Sequence, residues 1–116
     1  MRRGQVWLVD LEPVRGSEAS KVRPCVIVSN DGSNAAAART GEGVVTVAPV
    51  TSNIASVWPF QVLVAAADSP LDRDSKIQAE QVRAIAPGRM VRQLGTLGSA
   101  TMRQLDDALR LHLSLG

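Results

Sequence analysis

Two clusters in this sequence carry side chains suited to a phosphate. The first is the polar loop from Pro13 to Val22, holding Arg15-Gly16-Ser17-Glu18 and Lys21 and running into Arg23-Pro24. It separates two apolar stretches and must project from whatever they build. Pro24 restricts the backbone of the residue before it, which fixes Arg23 at a strand entrance. A guanidinium held there offers a fork of donors that matches a phosphate, although a solvated strand-edge ion pair has the same composition. The second cluster is Thr51-Ser52-Asn53, ending the apolar run Val44 to Val50. Such hydroxyl and amide groups can face a phosphate oxygen or simply close a turn. Glu80-Gln81-Val82-Arg83 adds a carboxylate, an amide and a second cation. Strand alternation would place Gln81 and Arg83 on one face, with Glu80 and Val82 on the other.

Other chemistries lack their residues. The clusters hold no P-loop, no Gly-rich dinucleotide turn and no carboxylate set spaced for Mg²⁺. One cysteine cannot make an internal disulfide or a Cys-based zinc site, and Cys25, between Pro24 and Val26-Ile27-Val28, reads as a small buried strand residue. One histidine, His112, forbids a two-histidine mechanism within the chain. With 13 Lys+Arg against 11 Asp+Glu, the formal charge is only +2, too little to mark a nucleic-acid binder by itself. Trp7, Trp58 and Phe60 are the only aromatics, few for a base-stacking platform.

The elements that position these groups follow from pattern. A chain of 116 residues, 45% hydrophobic and 21% charged, is one globular domain spanning residues 1–116. Strands are expected at Gln5 to Asp10, Pro24 to Ser29, Val44 to Thr51, Phe60 to Ala65 and Gln81 to Ala86. A turn follows at Pro87-Gly88, and Met90 to Leu94 can pair after it. The gaps are too short for crossover helices, so the sheet should be mainly antiparallel. Asp31 is expected to cap a short helix through Ala38. Ser99 is expected to cap a second, in which Met102, Leu105, Leu109 and His112 form one apolar stripe. The fold class is therefore mainly β with a C-terminal helix, a strongly bent sheet or partly open barrel. Met1-Arg2-Arg3 leads into Gly4-Gln5 and not into an apolar leader, and no uninterrupted run spans a membrane. A cytoplasmic protein is expected.

Taken together, five collinear blocks resemble the MazF/PemK toxins. They are Arg2-Arg3-Gly4-Gln5-Val6-Trp7-Leu8-Val9-Asp10-Leu11-Glu12-Pro13 with Arg15-Gly16-Ser17-Glu18; Arg23-Pro24-Cys25-Val26-Ile27-Val28-Ser29-Asn30-Asp31; Val47-Ala48-Pro49-Val50-Thr51-Ser52-Asn53-Ile54; Ala79-Glu80-Gln81-Val82-Arg83-Ala84-Ile85; and Leu105 to Leu113. The resemblance implies an SH3-like antiparallel β-barrel homodimer. It also implies a sequence-specific, metal-independent endoribonuclease without cofactor, cutting single-stranded RNA, chiefly mRNA. A MazE-type antitoxin with an acidic disordered segment would hold it inactive. Arg23 and Thr51 would be the catalytic pair, and Arg15, Ser17, Glu18, Lys21, Asn30, Ser52, Glu80 and Gln81 would meet RNA. Arg23 would act as electrostatic clamp and proton donor, with the base unassigned and Glu80 a candidate. Ala65 to Lys76 carries little of the fixed pattern, and no function is transferred to it. Two other readings share this architecture: a gyrase-targeting toxin of the CcdB type, and a non-catalytic SH3-like binding module.

Overall fold

The computed structural model describes residues 1–12, 16–17 and 21–116. Seven strands are described: β1 (Gln5–Asp10), β2 (Val22–Ile27), β3 (Val45–Thr51), β4 (Gln61–Val64), β5 (Ser75–Gln78), β6 (Arg83–Ile85) and β7 (Met90–Thr96). Helix α1 (Asp31–Thr40) links β2 to β3, and α2 (Ser99–Leu113) ends the chain. All pairings are antiparallel, in the order β4-β5-β3-β2-β1-β7, with β6 also on β3. The sheet is bent but not closed, since β4 and β7 remain its two edges.

Period-two alternation gives each sheet face its own core. Val6, Val26, Ala48 and Val50 face α2 and β4, where they pack with Val62, Val64, Leu105 and Ala108. Val9, Cys25, Ile27, Val45 and Val47 form the second core with Ile85 and with Ala37 of α1. Register shifts in the β1–β7 pair, between Val6 and Trp7 and between Leu8 and Val9, accompany the bend. Arg3 ties three elements together: its backbone N–H donates to Asp31 Oδ1 at 2.6 Å, and its guanidinium donates to Val28 O at 2.9 Å and Asp106 Oδ1 at 2.5 Å.

Several local expectations change. Asn30, not Asp31, caps α1, its side-chain oxygen accepting from Ser33 N at 2.8 Å. Asp31 lies one residue inside, where the Arg3 N–H holds its carboxyl below the usual carboxylate range. Gly98, not Ser99, occupies the N-cap of α2, without a side-chain hydrogen bond. The apolar stripe of that helix holds at Leu105, which is fully buried, but His112 at its end is exposed and tilts against Phe60. Trp58 is exposed as well, stacked on Phe60. Residues 79–81 form a 3₁₀ turn before β6, so the strand alternation expected across Glu80-Gln81-Val82-Arg83 does not exist.

Strand β5 has no counterpart in the sequence reading, and its approach organises one end of the sheet. Leu71 is buried in the first core, and Pro70 lies against Gly95 of β7. A Cβ on Gly95 would meet Pro70 Cβ at 2.5 Å, so only glycine admits this contact without displacement. Beyond Leu71 the chain is braced twice: Asp74 Oδ1 accepts from Ala66 N at 2.8 Å, and Ser75 Oγ donates to Arg73 O at 2.8 Å. Among the described residues, no helix is long and apolar enough to cross a membrane.

Candidate active site

A cavity of about 320 Å³ opens where the start of β2, the end of β3 and the segment before β5 converge. Register explains the first two walls. Ile27 pairs with Val47 and Cys25 with Pro49, where the β2–β3 ladder ends; Arg23 and Thr51 each stand two residues beyond that last pair, and both line the cavity. Alternation puts both on the sheet face of Cys25 and Val47. Each is half-buried, with its backbone in the ladder: Arg23 pairs with Val9, and Thr51 with Lys76. Lys21 and Ser52 flank them in the same cavity. Lys21 has a left-handed backbone, φ +69°, which non-glycine residues seldom adopt. Its N–H donates to Glu12 Oε1 at 2.6 Å and its carbonyl accepts from Leu11 N at 3.1 Å, which hold it there.

The third wall is the one sequence reasoning missed. Leu71, Asp72, Arg73 and Ser75 line the cavity, in the stretch to which no function had been transferred. Arg73 joins Lys21 and Arg23 as a third cation, and Ser75 adds a hydroxyl to those of Thr51 and Ser52. The signal available was Leu71-Asp72-Arg73-Asp74-Ser75 itself, but a polar run reads equally as a solvated turn. The burial of Leu71 in the core is what sets Asp72 and Arg73 in the lining of the cavity with Arg23.

The remaining candidates lie elsewhere. Gln81 sits beyond β5, and its Nε2 donates to Ser17 O at 3.2 Å, which ties the first loop to the 3₁₀ turn. Arg83 donates to Leu11 O at 3.5 Å, and Arg89 to the carbonyls of Asp10 and Glu12, so both cations brace the end of β1 where that loop departs. Glu80 is bound to β4 by Gln61 Nε2 at 2.6 Å, and its other oxygen is buried without a partner. Neither Glu80 nor Asn30 lines the cavity. Arg15 and Glu18 lie outside the described residues.

Cys25 lies next to the cavity but is sealed from it. Burial pushes its thiol up to about 12, the Arg23 and Arg83 charges offsetting only part of that. It is packing and not a nucleophile. Among the described residues no three His, Cys, Asp or Glu side chains are grouped to hold a metal ion. The site is thus a partly open pocket of hydroxyls, three cations and one carboxylate, whose donors are of the kind that suits a phosphate.

Comparison with known proteins gives the site a context. Residues 2–113 match the family model described as PemK-like, MazF-like toxin of type II toxin-antitoxin system. The chain is 58% identical over 115 residues to Endoribonuclease MazF9 of Mycobacterium tuberculosis, covering 99% of this chain and 98% of that one. It is 36% identical over 116 residues to Endoribonuclease MazF of Staphylococcus saprophyticus, covering 99% and 92%. Among solved structures, an endoribonuclease in complex with its cognate antitoxin from a mycobacterial species superposes with a TM-score of 0.77 at 26% identity, covering 100% and 97%. MazF from Deinococcus radiodurans reaches a TM-score of 0.81 at 23% identity, covering 98% and 96%, which speaks for the fold alone.

Proposed function

The chain belongs to the PemK-like, MazF-like toxins of type II toxin–antitoxin systems, and on that premise we propose how its cavity cuts RNA. The protein is an endoribonuclease. Its substrate is single-stranded RNA, chiefly mRNA, cut at defined sequences without a metal ion. The observation that carries this reading is the shared cavity of Arg23 and Thr51.

RNA contains its own nucleophile, the 2′-hydroxyl next to the scissile phosphate. Cleavage then requires that hydroxyl to be held in line, and the charge on the five-coordinate phosphorus to be stabilised. Arg23 supplies a bidentate fork and a positive charge, and the Thr51 hydroxyl donates from another wall of the cavity. Lys21 and Arg73 hold the flanking phosphates, while Ser52 and Ser75 satisfy oxygens at the edges. Products carry a 2′,3′-cyclic phosphate and a 5′-hydroxyl, the latter protonated from the Arg23 side.

Few cations suffice for this task. Single strands lose about 0.7 log units of affinity per phosphate contact for each tenfold rise in salt. Three cavity cations therefore allow salt-sensitive binding that still releases product. Ser17, whose carbonyl accepts from Gln81, and Lys21 in the cavity meet the bases beside the cut, and Arg15 and Glu18 share that role. Asn30 and Glu80 contact RNA only where the groove extends past the cavity. The working unit is a homodimer, restrained by a MazE-type antitoxin whose acidic disordered segment folds over the cations and competes with RNA. A gyrase-binding toxin or a proline-peptide module needs no such phosphate clamp.

Digestion of a long RNA by the purified protein, with all new ends sequenced, tests the reading. Recurrent cuts at one short sequence are expected, and competition by antitoxin should abolish them. Uniform degradation, or none, would overturn it.

A further inference from the structure

Cleavage by a 2′-hydroxyl needs a group to receive its proton, and neither Arg23 nor Thr51 can serve at neutral pH. The carboxylates around the site are mostly committed. Asp10 Oδ1 accepts from Glu12 N at 3.1 Å, Glu12 from Lys21 N, Asp74 from Ala66 N, and Glu80 from Gln61. Glu80, the candidate raised by the sequence, faces β4 and lies outside the cavity. Asp72 differs in both respects. It is the one carboxylate among the described residues that lines the cavity with Arg23 and Thr51. It is exposed to an incoming strand, and no hydrogen bond or ion pair engages it among the described residues. Its backbone is nonetheless placed, with Leu71 buried before it and the Asp74–Ala66 and Ser75–Arg73 bonds after it.

An acidic side chain is also out of place in a pocket that binds phosphate, since it repels the substrate unless it has a task there. We propose that Asp72 is the general base of RNA cleavage; this rests on the nuclease reading above. Asp72 takes the proton of the 2′-hydroxyl as the O2′–P bond forms. The P–O5′ bond breaks with its electron pair leaving on the 5′-oxygen, which is protonated from Arg23. Arg23 regains a proton from water, Asp72 releases one, and no proton is gained or lost overall.

The charged groups sharing the cavity with Asp72 are Lys21, Arg23 and Arg73, all cations. Asp72 is therefore the one candidate base in the cavity among the described residues. The experiment measures single-turnover cleavage of an RNA oligonucleotide with one mapped cut site, by the full chain, from acid to neutral pH. Asp72→Asn is expected to slow cleavage by about 10²–10⁴-fold and to flatten the acidic limb. Binding of the same oligonucleotide with a 2′-deoxy scissile residue should not weaken in Asp72→Asn, and Asp72→Glu should regain part of the rate. Asp72→Asn cutting at the wild-type rate would overturn the assignment, as would a slowed variant that keeps the wild-type acidic limb. Asp72→Ser, read with the same melting temperature as the wild type, guards against a folding artefact. A wild type that cuts beside an undiminished Asp72→Asn removes only this assignment, whereas a wild type unable to cut removes the nuclease reading itself.

Discussion

Arg23→Ala is expected to slow RNA cleavage by about 10²–10³-fold, the usual loss when one donor to a developing oxyanion is removed. The fold should survive. Arg23 pairs through its backbone with Val9, and its side chain is only half-buried, so truncation leaves the β1–β2 ladder and both cores in place. The loss should fall on the rate of the bound complex more than on binding, because Lys21 and Arg73 remain in the cavity to hold the strand. Arg23→Lys keeps the charge but not the two-pronged geometry, and should recover only part of the rate. Single-turnover kinetics at saturating enzyme separate these effects. An Arg23→Ala variant that cuts at nearly the wild-type rate would move the chemistry elsewhere.

Leu105→Ala is expected to cost about 2–5 kcal/mol of folding stability. Leu105 is fully buried in the core that joins α2 to β4, in one cluster with Val62, Val64 and Ala108, so its truncation removes buried apolar contact. Urea denaturation should show a lower midpoint at an unchanged slope, the sign of lost stability with the native surface retained. A loss below about 1 kcal/mol would mean that α2 is not seated on this face. That core also contains Leu71, which plants the third wall of the cavity, so the variant's cleavage should fail at lower temperature than the wild type's.

The first half of the chain is largely legible in its pattern. In Gln5–Asp10 the apolar run Val6-Trp7-Leu8-Val9, bounded by polar residues, marks β1 residue for residue, and Val45–Thr51 carries the β-branched run of a central strand. Arg23 and Thr51 were joined as a pair by the family resemblance alone, and only the pairing of β2 with β3 brings them to one cavity. Ser75–Gln78 was illegible because Ile77 is its single apolar residue; it is a strand only by pairing with β3 and β4. Glu80 and Gln81 were misread because the local pattern of a short strand does not reveal a 3₁₀ turn made by tertiary packing. The caps shifted by one residue at both helices, since Asn30 and Asp31 are equally competent and Gly98 needs no side chain to begin α2. Asp72 and Arg73 were hidden for a different reason. Their role depends on Leu71 being buried and on Pro70 meeting Gly95, contacts between distant parts of the chain.

The central claim is that the substrate's own 2′-oxygen attacks a phosphate held between Arg23 and Thr51, with no metal ion taking part. One measurement addresses it directly: cleavage of a single mapped RNA site in excess EDTA, against the same oligonucleotide carrying one 2′-deoxy residue on the 5′ side of the cut. The all-RNA strand is expected to be cut at its full rate, leaving a 2′,3′-cyclic phosphate, and the substituted strand to bind equally well yet remain intact. Cleavage of the substituted strand, or activity that disappears with EDTA and returns with Mg²⁺, would contradict the account.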